Sequence, residues 1–209
     1  WFNENDMYEC EHAFSDDGKI LSSFKRAAKE TVDIIHGNSD YTDYGEIKNA
    51  VYAKDLSAYL AGYILGLEWD PYFVLQTNAQ HTKIGYQGEY LATTESATAF
   101  ESFLCEVGDS LIDYETNTYS AQAPISFLNW ATTDMLTHSN EPFEEEDLVS
   151  VNTENIKATE AYYSGLFAAV DVYPYYPEFM NYQPEYLQED STGNVNPYQA
   201  YLADLRTQY

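Results

Sequence analysis

An α/β fold built from successive parallel βα units is predicted by three features of the chain. Three apolar runs, Ala58–Leu67, Pro124–Leu128 and Leu166–Val172, each stop at a cluster of aromatic and polar residues. Those clusters are Glu68-Trp69-Asp70-Pro71, Asn129-Trp130-Ala131-Thr132-Thr133-Asp134 and Tyr173-Pro174-Tyr175-Tyr176-Pro177-Glu178. Long amphipathic stretches separate the runs, as crossovers between parallel strands require.

The elements follow in order. Residues 1–8 read as a polar-aromatic strand end or loop. Asp16-Asp17-Gly18 reads as a turn leading into a helix, with Ile20, Phe24, Ala27, Ala28 and Val32 at helical spacing and Lys25, Arg26, Lys29 and Glu30 outside. That helix stops at His36-Gly37-Asn38, a C-terminal glycine signal. A loop is expected over 38–54, and Asp55 is placed to cap a short helical turn over Leu56–Leu60. Gly62-Tyr63-Ile64-Leu65-Gly66-Leu67 fits a buried strand whose glycines mark close backbone approach. Residues 70–94 read as a further long loop. Phe100, Phe103, Leu104, Val107, Leu111 and Tyr114 then define a helix from about Ser96 to Thr116. A strand at Ile125–Asn129, an acidic loop at Glu141–Asp147, a helix at about Thr153–Tyr163 and a strand at Phe167–Val172 follow. A Pro- and Tyr-rich loop leads to Pro197, which suits the first position of a last helix faced by Tyr198, Tyr201, Leu202 and Leu205.

Short buried strands whose carboxyl ends carry acids, amides and flat rings are the pattern of a (β/α) TIM-type barrel. A complete barrel has eight strands and about 250 residues. This chain of 209 residues supplies about four strands or strand ends, so residues 1–209 read as one partial barrel domain of a longer protein.

Composition narrows function. The chain has 35 acids against 9 bases, a net charge of −26. Nucleic-acid binding needs clustered Lys and Arg and is excluded on that ground, and anionic membrane surfaces are disfavoured. No apolar run is long enough to span a membrane. The charge suits an extracellular or salty setting. Cys10 and Cys105 lie far apart with no His or Cys at metal-ligand spacing, and read as buried or free thiols. No metal site or cofactor is expected. The Glu144-Glu145-Glu146-Asp147 run reads as a solvated face, with Ca²⁺ as the weaker alternative.

The residues that can carry chemistry gather at the run ends. Glu68 follows a buried run and stands beside Trp69 and Pro71. A carboxyl group at a barrel mouth beside an indole is partly desolvated, as general-acid work on a glycosidic oxygen requires. Glycoside cleavage uses a second carboxylate, for which Asp134, Asp171, Glu178, Glu4 and Glu89 are all open. Trp1, Trp69, Trp130, Tyr173, Tyr175 and Tyr176 can stack on sugar rings. His36, Asn38, Asn78, His81, Asn129 and His138 are candidate hydroxyl-binding groups. No GxSxG, P-loop, GxGxxG or HExxH motif is present.

These segments resemble a family. Gly62-Tyr-Ile-Leu-Gly-Leu-Glu-Trp69 looks like the fourth barrel strand of the retaining glycoside hydrolases that use two glutamates, where the acid/base glutamate ends strand four and the nucleophile ends strand seven. Ser126-Phe-Leu-Asn-Trp130 and Val170-Asp-Val-Tyr-Pro-Tyr-Tyr176 then resemble strands five and six, and Trp1-Phe-Asn-Glu4 the end of strand three. The chain is most similar to uncharacterised barrel domains associated with membrane glycosyltransferases. The resemblance implies Glu68 as acid/base, a carbohydrate partner, the remaining barrel segments supplied by a parent protein, and an extracellular or membrane-associated location through that parent. Two departures stand out. Leu67 occupies the position where the family carries asparagine, and the strand seven with its nucleophile that the resemblance implies is expected only after the helix that ends near Tyr209. The expected function is therefore a glycoside hydrolase-like barrel acting on or binding a carbohydrate. The alternatives are a non-catalytic carbohydrate-binding domain or a structural assembly domain.

Overall fold

The structure, a computed structural model, describes residues 11–41, 50–80 and 84–209. The first amphipathic stripe forms α1 (Ser15–Ile35), with Ile20, Phe24, Ala28 and Val32 buried. Gly37 ends it at φ +68°, and a Cβ there would stand 2.5 Å from the Lys54 carbonyl carbon, so the turn admits glycine alone. Within the expected loop over 38–54, β1 (Ser39–Tyr41) pairs antiparallel with β2 (Ala50–Tyr52). Three-residue strands carry too little periodicity to show in sequence. The short turn expected over Leu56–Leu60 is a one-turn 3₁₀ helix at Ser57–Tyr59 whose cap position is Leu56; Asp55, one residue earlier, accepts the Ser57 N–H at 2.8 Å.

Strand β3 (Tyr63–Leu65) leads to a helix, not a loop. Helix α2 (Pro71–Gln80) begins at Pro71, and Asp70 accepts the Phe73 N–H at 2.9 Å. The Asp-Pro start signal lay in the sequence, and only the weak apolar periodicity after it hid the helix. Strand β4 (Leu91–Thr93) follows. Helix α3 (Ala99–Tyr119) starts three residues later than predicted, on a full capping box between Thr98 and Glu101. Strand β5 (Ile125–Trp130) comes next. The helix predicted for Thr153–Tyr163 is absent. A single 3₁₀ turn at Thr153–Asn155 gives way to β6 (Ile156–Ala158), which pairs antiparallel with β4. Pairing with β4, which brings Ile156 to 1 % exposure, overrides a weak helical pattern. Strand β7 (Ala169–Asp171), the short helix α4 (Phe179–Tyr182) and α5 (Pro197–Leu205) complete the chain. Pro197 takes the first turn of α5, and Asn196 caps it by accepting the Gln199 N–H at 3.1 Å.

The central sheet has the order β3-β5-β7 and is parallel throughout, with Leu65 opposite Phe127 and Trp130 opposite Asp171. All three carboxyl ends therefore lie along one edge. Tyr63, Leu65, Ile125 and Phe127 pack with residues of α1 and α3 in the main apolar core, whereas Ile64 is 57 % exposed. Phe100, Phe103 and Leu111 of α3 sit at the centre, each contributing roughly 1.5–3 kcal/mol of apolar burial. A second, smaller cluster joins Ala131 to Phe179, Met180, Tyr186, Tyr201 and Leu205 beneath α4 and α5. The result is a mixed α/β fold with a three-stranded parallel sheet. The described residues close no barrel. Among them, no helix is long and apolar enough to cross a membrane. Cys105 is a buried free thiol, pushed by burial up to about 12, and Cys10 lies outside the described residues.

Candidate functional site: a cleft at the carboxyl edge of the parallel sheet

After β3 the chain turns at Gly66, whose φ is +120° and where a Cβ would stand 3.0 Å from the Trp69 ring. This turn separates two neighbours. Trp69 goes into the core at 0 % exposure, among Phe24, Phe73, Phe100 and Phe103. Glu68 stays half-buried at the edge, where the Tyr173 hydroxyl donates to its carboxylate. The indole expected beside Glu68 is thus supplied by Trp130 at the end of β5. Trp130 and Glu68 line one cavity of about 230 Å³, together with Asp70, Pro71, Tyr72, Thr132, Glu145, Glu146 and Tyr176.

Each wall has a structural cause. The Trp130 indole N–H donates to the Trp69 carbonyl at 3.0 Å, tying the two strand ends together. Trp130 and Tyr176 stand 6.3 Å apart between ring centroids at 34°. The turn after β7 brings in Tyr173 and Tyr176, which form an isolated bridge, with Tyr175 between them at φ +67° and 66 % exposed. The acidic run folds into a one-turn 3₁₀ helix, Glu144–Asp147, over the opening. Glu146 accepts hydrogen bonds from the Tyr176 hydroxyl at 2.9 Å and the Thr132 hydroxyl at 2.8 Å. Burial, and then the facing Glu146, push the Tyr176 phenol far above the usual tyrosine range. The hydrogen bond to Glu68 raises Tyr173. Both phenols therefore remain donors to carboxylates at neutral pH. Burial raises Glu141 as well, opposed by the Phe143 and Phe179 N–H groups that it accepts.

The other sequence candidates lie elsewhere. Asn129 is fully buried. Its side chain donates to the Val151 carbonyl at 2.9 Å and accepts from Thr133 at 2.7 Å, holding the loop after β5. Asp134 is 3 % exposed and accepts from Tyr201 at 2.5 Å, beside His138 at 3.1 Å, in a knot beneath α5. The His138 ring stacks on Phe179 at 3.5 Å. Asn78 accepts the Phe100 N–H at 3.0 Å at the start of α3. His36 stacks on Tyr119 at 3.9 Å and approaches Glu115 at 3.1 Å, and Asn38 donates to the Tyr119 hydroxyl. Glu115 also accepts from Tyr63, the first residue of β3, so His36 and Asn38 belong to the opposite edge of the sheet from Glu68. Asp171 pairs with Trp130 in the sheet, Glu178 precedes α4, and Glu89 lies beside β4 with its carbonyl accepting from Thr159. Trp1, Glu4 and His81 lie outside the described residues.

Tyr72, Thr132, Glu145 and Glu146 were missed as lining residues. The first fell in a predicted loop. The two glutamates looked like any solvated run, because the hydroxyls that organise them come from Thr132 and Tyr176 on other elements. Among the described residues, no group of three or more His, Cys, Asp and Glu side chains is arranged to hold a metal ion. Compared with known protein families, characterised proteins and solved structures, the chain matches none of them.

Proposed function

We propose that this cleft is a saccharide site, with Glu68 placed as a general acid/base, in a chain that forms an arc of a (β/α) barrel similar to the retaining glycoside hydrolases. One observation carries the reading. Three parallel strands end together, and Glu68, Trp130 and the Tyr173–Tyr176 turn meet there around a single cavity. Flat rings beside carboxylates offer a stacking face and hydroxyl acceptors at once. The barrel part of the reading rests on the sequence resemblance, and the sheet, with strands that neighbour in chain order and α1 and α3 packed on one face, is compatible with it. Glu146, held by two hydroxyls, shares the cavity with Glu68 as a second acid of the cleft, while the nucleophile that the resemblance implies belongs to a strand seven that this sequence does not contain.

A second reading, carbohydrate binding without cleavage, is favoured by Leu67. It packs against the apolar core and offers no side-chain hydrogen bond where the hydrolases carry asparagine. A panel of aryl glycosides offered to the wild-type protein and to Glu68→Gln separates the two. Turnover that falls about a hundredfold or more in the variant supports the acid/base role. Saccharide binding by calorimetry with no turnover in either protein supports the binding domain. No binding and no turnover leaves the structural assembly role.

A further inference from the structure

We infer that the saccharide taken by this cleft is an amino sugar with a free, protonated amine. The inference rests on the saccharide reading above and adds the class of sugar. It follows from a donor and acceptor balance in the cavity wall. The lining holds four carboxylates, Glu68, Asp70, Glu145 and Glu146, and no Lys, Arg or His. Its side-chain donors are engaged within the protein. The Trp130 N–H goes to the Trp69 carbonyl, and the Thr132 and Tyr176 hydroxyls both go to Glu146. The Tyr72 hydroxyl remains, on a residue 55 % exposed at the rim. A carboxylate has about four acceptor sites, so Glu68 and Glu146 keep acceptor capacity after the bonds they take. The side chains of the cavity therefore offer acceptors and aromatic rings, with the Tyr72 hydroxyl as the donor that remains.

A ligand group is matched to such a wall when it donates and does not accept. A sugar hydroxyl donates once and leaves its lone pairs unmet, an acetamido carbonyl or a carboxylate only accepts, and an ammonium donates three times and accepts nothing. Trp130 and Tyr176 stand in the same lining, and a cation that reaches the face of either ring gains further attraction. The protein's net charge of −26 steers the same charge towards the cleft. Uronic, sialylated and phosphorylated sugars bring a further anion to a wall whose charged side chains are all carboxylates.

The test is calorimetric titration of the protein with glucosamine oligomers, their N-acetylated counterparts and neutral glucose oligomers of equal length, in low and in high salt. The free-amine oligomer is expected to bind on the order of tenfold tighter than either comparator and to weaken with salt. Glu145→Gln, on the exposed side of the cavity, should weaken it several-fold, while Glu160→Gln, which lines no part of the cavity, should leave it unchanged. Equal or tighter binding of the N-acetylated or neutral oligomer overturns the amino-sugar assignment and leaves the saccharide site standing. An affinity for putrescine equal to that for the amino sugar overturns the assignment too, because the cavity then reads charge alone. No binding by any oligomer removes the saccharide reading and this inference together.

Discussion

The two edges of the parallel sheet use the same residue types to opposite ends. At the amino edge Glu115 is 2 % exposed, and its carboxylate meets the Tyr63 hydroxyl at 2.9 Å, the Ala123 N–H at 2.8 Å and His36 at 3.1 Å. Asp109 and Glu101 on the same helix behave alike. Asp109 accepts the Tyr90 and Leu91 N–H groups at 2.8 Å and the Tyr86 hydroxyl at 3.0 Å. Glu101 takes the Thr98 and Asn152 N–H groups and the Asn155 amide. At the carboxyl edge, Glu68, Glu145 and Glu146 share an open cavity of about 230 Å³. A buried acid whose donors all come from loops and neighbouring strands holds those loops to a helix; an acid that lines an open cavity can be reached by a ligand. The two tryptophans at the strand ends divide in the same way, Trp69 into the core and Trp130 onto the cleft.

The sharpest break in this comparison is expected from Trp69→Ala. It removes a fully buried indole and should destabilise the fold by about 3–5 kcal/mol in chemical denaturation. Loss of ligand affinity with unchanged stability would put Trp69 back at the cleft. Asp109→Ala comes next. It leaves two buried N–H groups without partners and should lower stability by roughly 2–4 kcal/mol.

Alkaline titration probes the buried hydroxyls as a group. Burial, reinforced by neighbouring acids, raises Tyr63, Tyr86, Tyr162 and Tyr186 well above the ordinary tyrosine value, and Tyr114 to about 12. An unfolded tyrosine loses its proton near 10, so above that pH the folded chain binds more protons than the unfolded one. The stability these phenols confer is complete below about pH 10 and is lost as the pH rises towards 12 and beyond. The last part of the tyrosinate absorbance should then rise together with loss of circular dichroism. Completion of the whole rise near 10 with the fold intact would contradict the burial assigned to these rings.

The cleft variants carry the smallest structural effects. Trp130→Ala should weaken saccharide binding about tenfold while shifting stability less than Trp69→Ala does. Glu68→Gln should change stability by no more than about 0.5 kcal/mol, since a half-exposed carboxylate with one hydroxyl partner is all that is altered.

The sequence foretold what repeats or punctuates. The helical stripes of α1 and α3, the glycine stop at Gly37, Pro197 at the start of α5 and the three apolar strands all rest on local patterns. The parallel direction of those strands followed from long crossovers, and with it came the meeting of Glu68, Trp130 and Tyr173. What depended on distant partners stayed hidden. The β4–β6 pair is three residues long, and the local sequence pattern predicts loop at one strand and helix at the other. The inward turn of Trp69 follows from the Gly66 conformation, and the anchoring of Glu146 follows from hydroxyls supplied by Thr132 and Tyr176. Asn129 and Asp134 stand at and just after the end of a strand, where site residues are expected, yet their side chains organise the loop after it.

The central claim is tested most directly by the indole N–H resonances in a ¹H–¹⁵N spectrum during titration with a saccharide that binds. The Trp130 signal, from the wall of the cleft, should move with ligand concentration while the Trp69 signal, from the core, stays in place. A titration in which Trp130 remains fixed while saccharide binds would locate the ligand elsewhere and contradict the account.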